Sequence, residues 1–284
     1  MNLSRLTLAL TLTGTVGSFA ACSDSSGTTQ SSSGSGGTGS SLSTSGSSGS
    51  GAGGDINITI GSGGSASNGT GMGGGDNCNG MLPVTVRDFK SHYTDFETFL
   101  GEEKGIVKPD LGADGKPVYN GNPTTATTSG KAQFDEWYRD VPGANMPFQI
   151  TLQLTPTGNG AYTYDNQVYF PIDDKGFGNE FNSHNYHFTT EIHTQFTYKG
   201  GEVFKFTGDD DLFAFINKKL VIDLGGVHGE QDASVNLDAV AASIGITIGK
   251  SYPLDMFGAE RHTSDSHFRI DTTISCFTPP PPPQ

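Results

Sequence analysis

Between residues 148 and 274, apolar side chains recur at every second position in one short run after another. That period restricts this part of the chain to β-strands with one face buried. Phe148, Ile150, Leu152 and Leu154 alternate along "PFQITLQL", and Phe188, Thr190, Ile192, Thr194, Phe196 and Tyr198 along "FTTEIHTQFTY". Further runs stand at "EVFKFTG", "LFAFIN", "KLVIDLG", "SVNLD", "SYPLDMF" and "HFRIDTTI", separated by frequent Gly-rich turns. The expectation is a mostly β fold, an antiparallel β-sandwich. Two segments show helical spacing instead: residues 87–100, with Phe89, Tyr93, Phe96 and Leu100 on one stripe, and residues 131–141, with Phe134, Trp137 and Tyr138. Each is expected to form a short packing helix.

The chain before residue 78 and after residue 277 cannot supply a core. Residues 1–22 carry one basic residue, Arg5, an apolar stretch from Leu6 to Leu12, and the small-residue ending Ser18-Phe19-Ala20-Ala21-Cys22, the layout of a secretory signal. The ending resembles a lipoprotein cleavage site with Cys22 as the lipidated residue, although Phe19 stands where leucine is usual and plain signal cleavage is the alternative. Residues 23–77 are almost entirely Ser, Gly and Thr, and so bury too little apolar surface to offset backbone entropy. A flexible tether of that length reaches about 40 Å root-mean-square. One folded domain is then expected over residues 78–277, followed by a Pro-rich tail over 278–284.

Formal charge is −14, from 30 acidic and 16 basic residues, which disfavours nucleic acid and anionic membrane faces as partners. Any membrane contact is expected through the N-terminal lipid alone, and nothing in the sequence calls for an obligate oligomer. With Cys22 set aside, Cys78 and Cys276 bracket the domain; in an exported protein they read as a disulfide, two free thiols being the alternative.

The run "FTYKGGEVFKFTGDDDLFAFINKKLVIDLGGVHG", followed by "YPLDMFGAERHTSDSHFRIDTTI", resembles the fibro-slime domain of slime-mould and bacterial surface proteins. The earlier "TVRDFKSHYTDFE", "DGKPVY", "FDEWYRDVPG" and "HNYHFTTEIHTQF" are similar to the same family, so the likeness covers nearly the whole folded region. That family is related to the protective-antigen-like domain, and the resemblance implies a jelly-roll-like sandwich of the kind adhesins use to bind sugars. In such adhesins two consecutive aspartates, often joined by a cis peptide, hold a calcium ion that also touches sugar hydroxyls. Carried onto this chain, the pair is Asp209 and Asp210, with Asp211 beside it and Glu260 standing where the family has an asparagine.

Elementary electrostatics agrees with a cation at this place, because adjacent carboxylates repel unless something positive lies between them. Calcium takes six to eight oxygens, which carboxylates and loop carbonyls supply. A solvated acidic turn is the alternative for the aspartates, and a salt bridge to Arg261 or Arg269 for Glu260. His228, Arg261, His262 and Ser264 lie in two loops, "LGGVHGEQD" and "GAERHTSDSH", expected to converge beside the acids and touch ligand. His184, His187 and His193 are read as structural or surface residues, and Asp173 and Asp174 offer a second acidic pair. No nucleophile elbow, phosphate-binding loop or nucleotide fingerprint is present. The expected function is therefore calcium-dependent binding of carbohydrate or extracellular matrix at a bacterial cell surface or outer membrane, without catalysis, from an anchored or alternatively secreted protein. A structural matrix protein and a glycoside hydrolase are the lesser alternatives.

Overall fold

The structure is a computed structural model in which residues 80–280 are described. The expected signal segment, the tether, Cys22, Cys78 and residues 281–284 lie outside the described residues. The described chain runs β1 (Met81–Phe89), β2 (Gly101–Glu102), α1 (Lys131–Trp137), β3 (Asn145–Gln153), β4 (Thr155–Gly158), β5 (Ala161–Asn166), β6 (Phe188–Thr197) and β7 (Val203–Gly208). It continues through β8 (Asp211–Ile216), β9 (Lys219–Leu224), β10 (Gly226–Val227), β11 (Gln231–Asn236), α2 (Leu237–Ile244), β12 (Ser251–Glu260) and β13 (Phe268–Thr272).

Two antiparallel sheets result, one of six strands in the order β3-β1-β6-β12-β8-β9 and one of five in the order β11-β7-β13-β5-β4, with β2 and β10 forming a small ribbon. Their inner faces meet in one apolar core that joins Leu82, Ile192, Leu212 and Met256 of the first sheet to Phe204, Phe206 and Ile270 of the second. Alternate residues of each strand face inward, so the period-two pattern of the sequence is spent on this layer.

The six-stranded sheet is covered on its outer face as well. Phe213 and Phe215 of β8 and Phe257 and Ala259 of β12 point away from the sandwich and pack with Ile106, Tyr119, Phe134, Trp137 and Tyr138. Residues 90–140 thus form a third layer, and this explains why every residue of β8 is buried. An ion network pins the cover to the sheet. Glu191 of β6 accepts from Arg87 Nη1 at 2.6 Å and also pairs with Lys116 and His193, while Arg87 Nε reaches Asp140 at 2.8 Å. Burial opposes charge on Glu191, but His193, Arg87 and Lys116 outweigh it and hold the carboxyl down at about 2. Burial likewise opposes charge on His193, and hydrogen bonds to Asp255 and Glu191 outweigh it, lifting the imidazole to about 9. His193 is therefore a structural cation, as its place on a strand suggested.

The expected helix over residues 87–100 does not form. Its first three residues belong to β1, and the rest is a string of turns in which Tyr93 N donates to Lys90 O and Phe96 N to Tyr93 O. Phe89, Tyr93 and Phe96 do gather, with ring centroids 4.9 to 5.7 Å apart, so the spacing reported a cluster rather than a helix. Glu97 adopts a left-handed φ of 56° that ends the turns, and Leu100 stays 72% exposed. The second expected helix is present as α1. The strand expected at "SVNLD" turns into α2 at Leu237, where the Asn236 side chain accepts from Ala239 N and Gly245 closes the helix at φ 71°.

Trp137 is fully buried and contacts Phe96, Phe134, Tyr138 and the guanidinium of Arg261. Trp137→Ala is expected to cost about 3–5 kcal/mol by emptying that site. Urea unfolding followed by far- and near-ultraviolet circular dichroism should show one shifted transition, since cover and sheet share a core; two separate transitions would contradict it.

Candidate functional site

β7 and β8 are consecutive but lie in different sheets, so the chain must cross from one layer to the other in two residues. Those residues are Asp209 and Asp210. Asp210 takes a left-handed φ of 47°, a conformation Asp tolerates better than most residues. The peptide between them is not cis; Asn122–Pro123 is the single cis bond among the described residues. Gly208 is required at the approach to the turn, since a Cβ there would lie 2.4 Å from the carbonyl of His267.

The crossing sits where two other loops arrive. One, after β10, holds His228, Gly229 and Glu230; the other, between β12 and β13, runs from Arg261 to His267. The aspartates tie both loops down. Asp210 Oδ1 accepts from His228 N at 3.2 Å and Oδ2 from Arg261 N at 2.7 Å, while Asp209 Oδ1 accepts from His267 N at 2.8 Å. Between the loops opens a cavity of about 540 Å³. Of the residues proposed from sequence, Asp209, Asp210, His228, His262 and Ser264 line it.

Asp211, Glu260 and Arg261 do not, and strand parity is the reason. Asp211 starts β8 on the outward face shared with Phe213 and Phe215, so its carboxylate turns toward the cover. There Oδ2 accepts from Arg261 Nε at 2.6 Å and Oδ1 from Gly226 N at 2.7 Å. Arg261 is fully buried; Nη1 donates to Thr127 O at 2.7 Å and Asp95 O at 3.3 Å, and the guanidinium lies 4.8 Å from the Trp137 ring centroid. Glu260, the residue before Arg261, faces the opposite way, into a hollow of about 20 Å³ between the sheets beside Tyr169, Phe188 and Ser266. The salt bridge considered for Glu260 with Arg261 is therefore made by Asp211 instead.

Glu230, Asp265 and His267 were not singled out from the sequence, yet they line the cavity. His267 is buried; Nδ1 bonds Glu230 Oε2 at 2.5 Å, and Nε2 lies 3.0 Å from Asp165 Oδ1 and 2.9 Å from Gln167 Nε2. The detectable signal was their position in the two loops already nominated. The second acidic pair is split: Asp173 bonds His184 Nδ1 at 2.6 Å and Asn185 N at 2.7 Å, while Asp174 is exposed. His187 is buried, with Nε2 2.9 Å from Glu97 Oε1, and His262 reaches the other oxygen of Glu97 at 3.4 Å. Glu97 also accepts from Thr263 N at 2.8 Å, so the cover helps to shape the cavity loop.

Burial pushes the Asp209 carboxyl up to about 6, and burial together with the charge of Asp211 pushes Asp210 up to about 7. Glu260 is driven well above the usual carboxylate range by burial and then by the charges of Asp210 and Asp209. Backbone amides absorb part of the repulsion, but no lysine or arginine side chain lines the cavity. Such a rim fits a cation, whose charge would restore ionisation of the pair. Among the described residues no three His, Cys, Asp or Glu side chains converge to hold a metal by themselves. An ion at Asp209 and Asp210 would therefore draw on loop carbonyls too, ligands that calcium accepts.

A model of the PA14 domain matches residues 158–276, from the end of β4 to just beyond β13. The match spans less than half of the chain. The chain is also homologous to the psi proteins of Dictyostelium discoideum, being 41% identical to psiD over 212 residues (69% of this chain, 41% of psiD) and 43% identical to psiR over 203 residues (65% and 20%). It thus spans less than half the length of either of these two relatives. Solved structures with similarity include the PA14 domain of the MpAFP antifreeze protein (10% identity, TM-score 0.31, covering 75% of this chain and 92% of that one). Another is the PA14 sugar-binding domain from an RTX adhesin (9% identity, TM-score 0.30, covering 68% and 88%).

The raised carboxyls of this rim give a definite sign to the pH dependence. Native Asp209 and Asp210 keep protons that the unfolded chain has already lost between about pH 4 and pH 7, so stability falls as pH rises through that window. In chelator-containing buffer the melting temperature should fall from about pH 4.5 to about pH 7.5, and Asp209→Asn/Asp210→Asn should flatten that part of the curve. A fluorimetric melting series of both proteins across pH checks it.

Proposed function

We propose that this chain is a calcium-dependent carbohydrate-binding adhesion module of the fibro-slime type, acting without turnover. The observation that carries the proposal is the pairing of Asp209 with Asp210: two adjacent, desolvated carboxylates at the mouth of a cavity of about 540 Å³. Asp209, Asp210 and carbonyls of the flanking loops would hold the ion. When bound, calcium supplies positive charge that fixes the loops and polarises neighbouring hydroxyls filling its open coordination positions. The chain's own contribution is orientation. His228, His262 and Ser264 stand on the cavity wall where a sugar's remaining hydroxyls would find partners. The PA14 match and the likeness of the sequence to adhesin domains support carbohydrate as the partner class.

In this proposal the PA14 domain is exported and displayed at a bacterial surface, with Cys22 lipidated, residues 23–77 serving as tether and Cys78 bonded to Cys276. A single shallow site of this kind binds weakly, so adhesion depends on many copies on one surface. A second reading, a matrix module in which calcium only rigidifies loops, is favoured by one feature: both oxygens of Asp210 already accept from backbone amides of two different loops.

Calcium titration followed by a glycan array separates the two. A lectin should melt higher with calcium, rise again with at least one glycan, and lose both shifts in Asp209→Ala/Asp210→Ala; Asp209→Asn alone, on the less buried of the pair, guards against misfolding. A calcium shift with no glycan bound would favour the matrix module. Absence of any calcium response would remove the proposal's foundation.

A further inference from the structure

The chemistry of the cavity wall carries the carbohydrate proposal one step further, to the class of sugar, and the inference rests on that proposal. Four carboxylates line the cavity, Asp209, Asp210, Glu230 and Asp265, and no lysine or arginine does. If one divalent ion neutralises the first two, Glu230 and Asp265 still leave the wall negative. Glu230 is exposed but anchored. The buried ring of His267 grips its Oε2 at 2.5 Å, and His267 is itself fixed by Asp165, Gln167 and the bond from its backbone N–H to Asp209. The second oxygen of Glu230 makes no hydrogen bond among the described residues, and neither carboxylate oxygen of Asp265 makes one.

Hydrogen-bonding capacity points the same way. Ionised carboxylates only accept, so these groups complement donors and repel anions. His228 Nδ1 lies 2.9 Å from the carbonyl of Gly229, which needs a proton on that nitrogen. Nε2 of the same ring is buried and has no partner. Uronates and sulfated sugars bring negative charge to an acceptor-rich wall, whereas an ammonium group brings a charge and three donors to it. We propose that the cavity selects glycans bearing a free amine, such as de-N-acetylated hexosamine units, and that Glu230 and Asp265 are the specificity-determining residues.

The test is calorimetry at about pH 7 with calcium present, using the full domain and matched hexasaccharides of glucosamine, N-acetylglucosamine, glucose and glucuronic acid in gluco and galacto series. The amine-bearing probe should bind about tenfold more tightly than its own N-acetylated form, with the uronate weakest, and the preference should shrink at high salt. In Glu230→Gln, Asp265→Asn and the double variant, the amine-to-acetamide ratio should fall toward one. Asp265 is exposed, so its variant reports even where the Glu230 change disturbs His267. Equal binding of amine, neutral and acetylated probes, tight binding of the uronate, or a ratio untouched by the substitutions would overturn the inference while leaving carbohydrate binding standing. No binding by any probe, nor by a broader glycan array, would overturn both.

Discussion

The fully buried ion pair between Arg261 and Asp211 is the constraint on which the rest of the arrangement depends. Bringing two charges out of water costs several kcal/mol for each ion, so the pair persists only where every remaining donor finds a partner. Burial works against the charge on Arg261, but Asp211 outweighs it and keeps the guanidinium protonated. Thr127 and Asp95 offer carbonyls, and Trp137 offers a ring face. Each of those residues comes from the cover over residues 90–140. One side chain therefore joins the start of β8, the end of β12 and the outer layer.

This pairing resolves the problem posed by three aspartates in a row. Each has a different task because each points a different way. Asp211 belongs to a strand and is neutralised from the cover side by Arg261. Asp210 lies in the left-handed turn and is held by backbone amides of the two cavity loops. Asp209 takes a single amide, from His267, and is the less buried member of the rim pair. The repulsion is thus divided: one charge is balanced by an arginine and the other two stand at a cavity. Removal of the arginine would leave Asp211 buried without a counter-charge next to carboxylates that already resist ionising.

Most of the sandwich was legible because a half-buried strand writes its burial directly into a period of two. "PFQITLQL" and "FTTEIHTQFTY" became β3 and β6 with little change. β1 was obscured because Phe89, Tyr93 and Phe96 share a helical spacing that a chain of turns also satisfies. α2 carried its signals in Asn236 and Gly245, but the preceding "SVN" alternates and masked the change of period. The same parity rule, applied at the site, would have separated Glu260 from Arg261. Glu260 ends β12 and Arg261 follows it directly, so the two turn to opposite sides, and Met256 and Phe257 already mark which face is inner and which outer.

Composition of the cavity wall was less legible than its position. The loops "LGGVHGEQD" and "GAERHTSDSH" contain many polar residues, and sequence alone does not say which of them face one another. The choice is made by backbone bonds that cross between loops: Asp210 to His228 and Arg261, and His267 to Asp209. Once these are in place, Glu230 and Asp265 necessarily share a wall with the aspartate pair, while Glu260 is turned inside and Arg261 outside. The negative character of the cavity is therefore a consequence of the crossing between β7 and β8, not an echo of the chain's overall charge. A protein of the same composition with a different crossing would spread those acids over solvent, where water and salt would screen them to little effect.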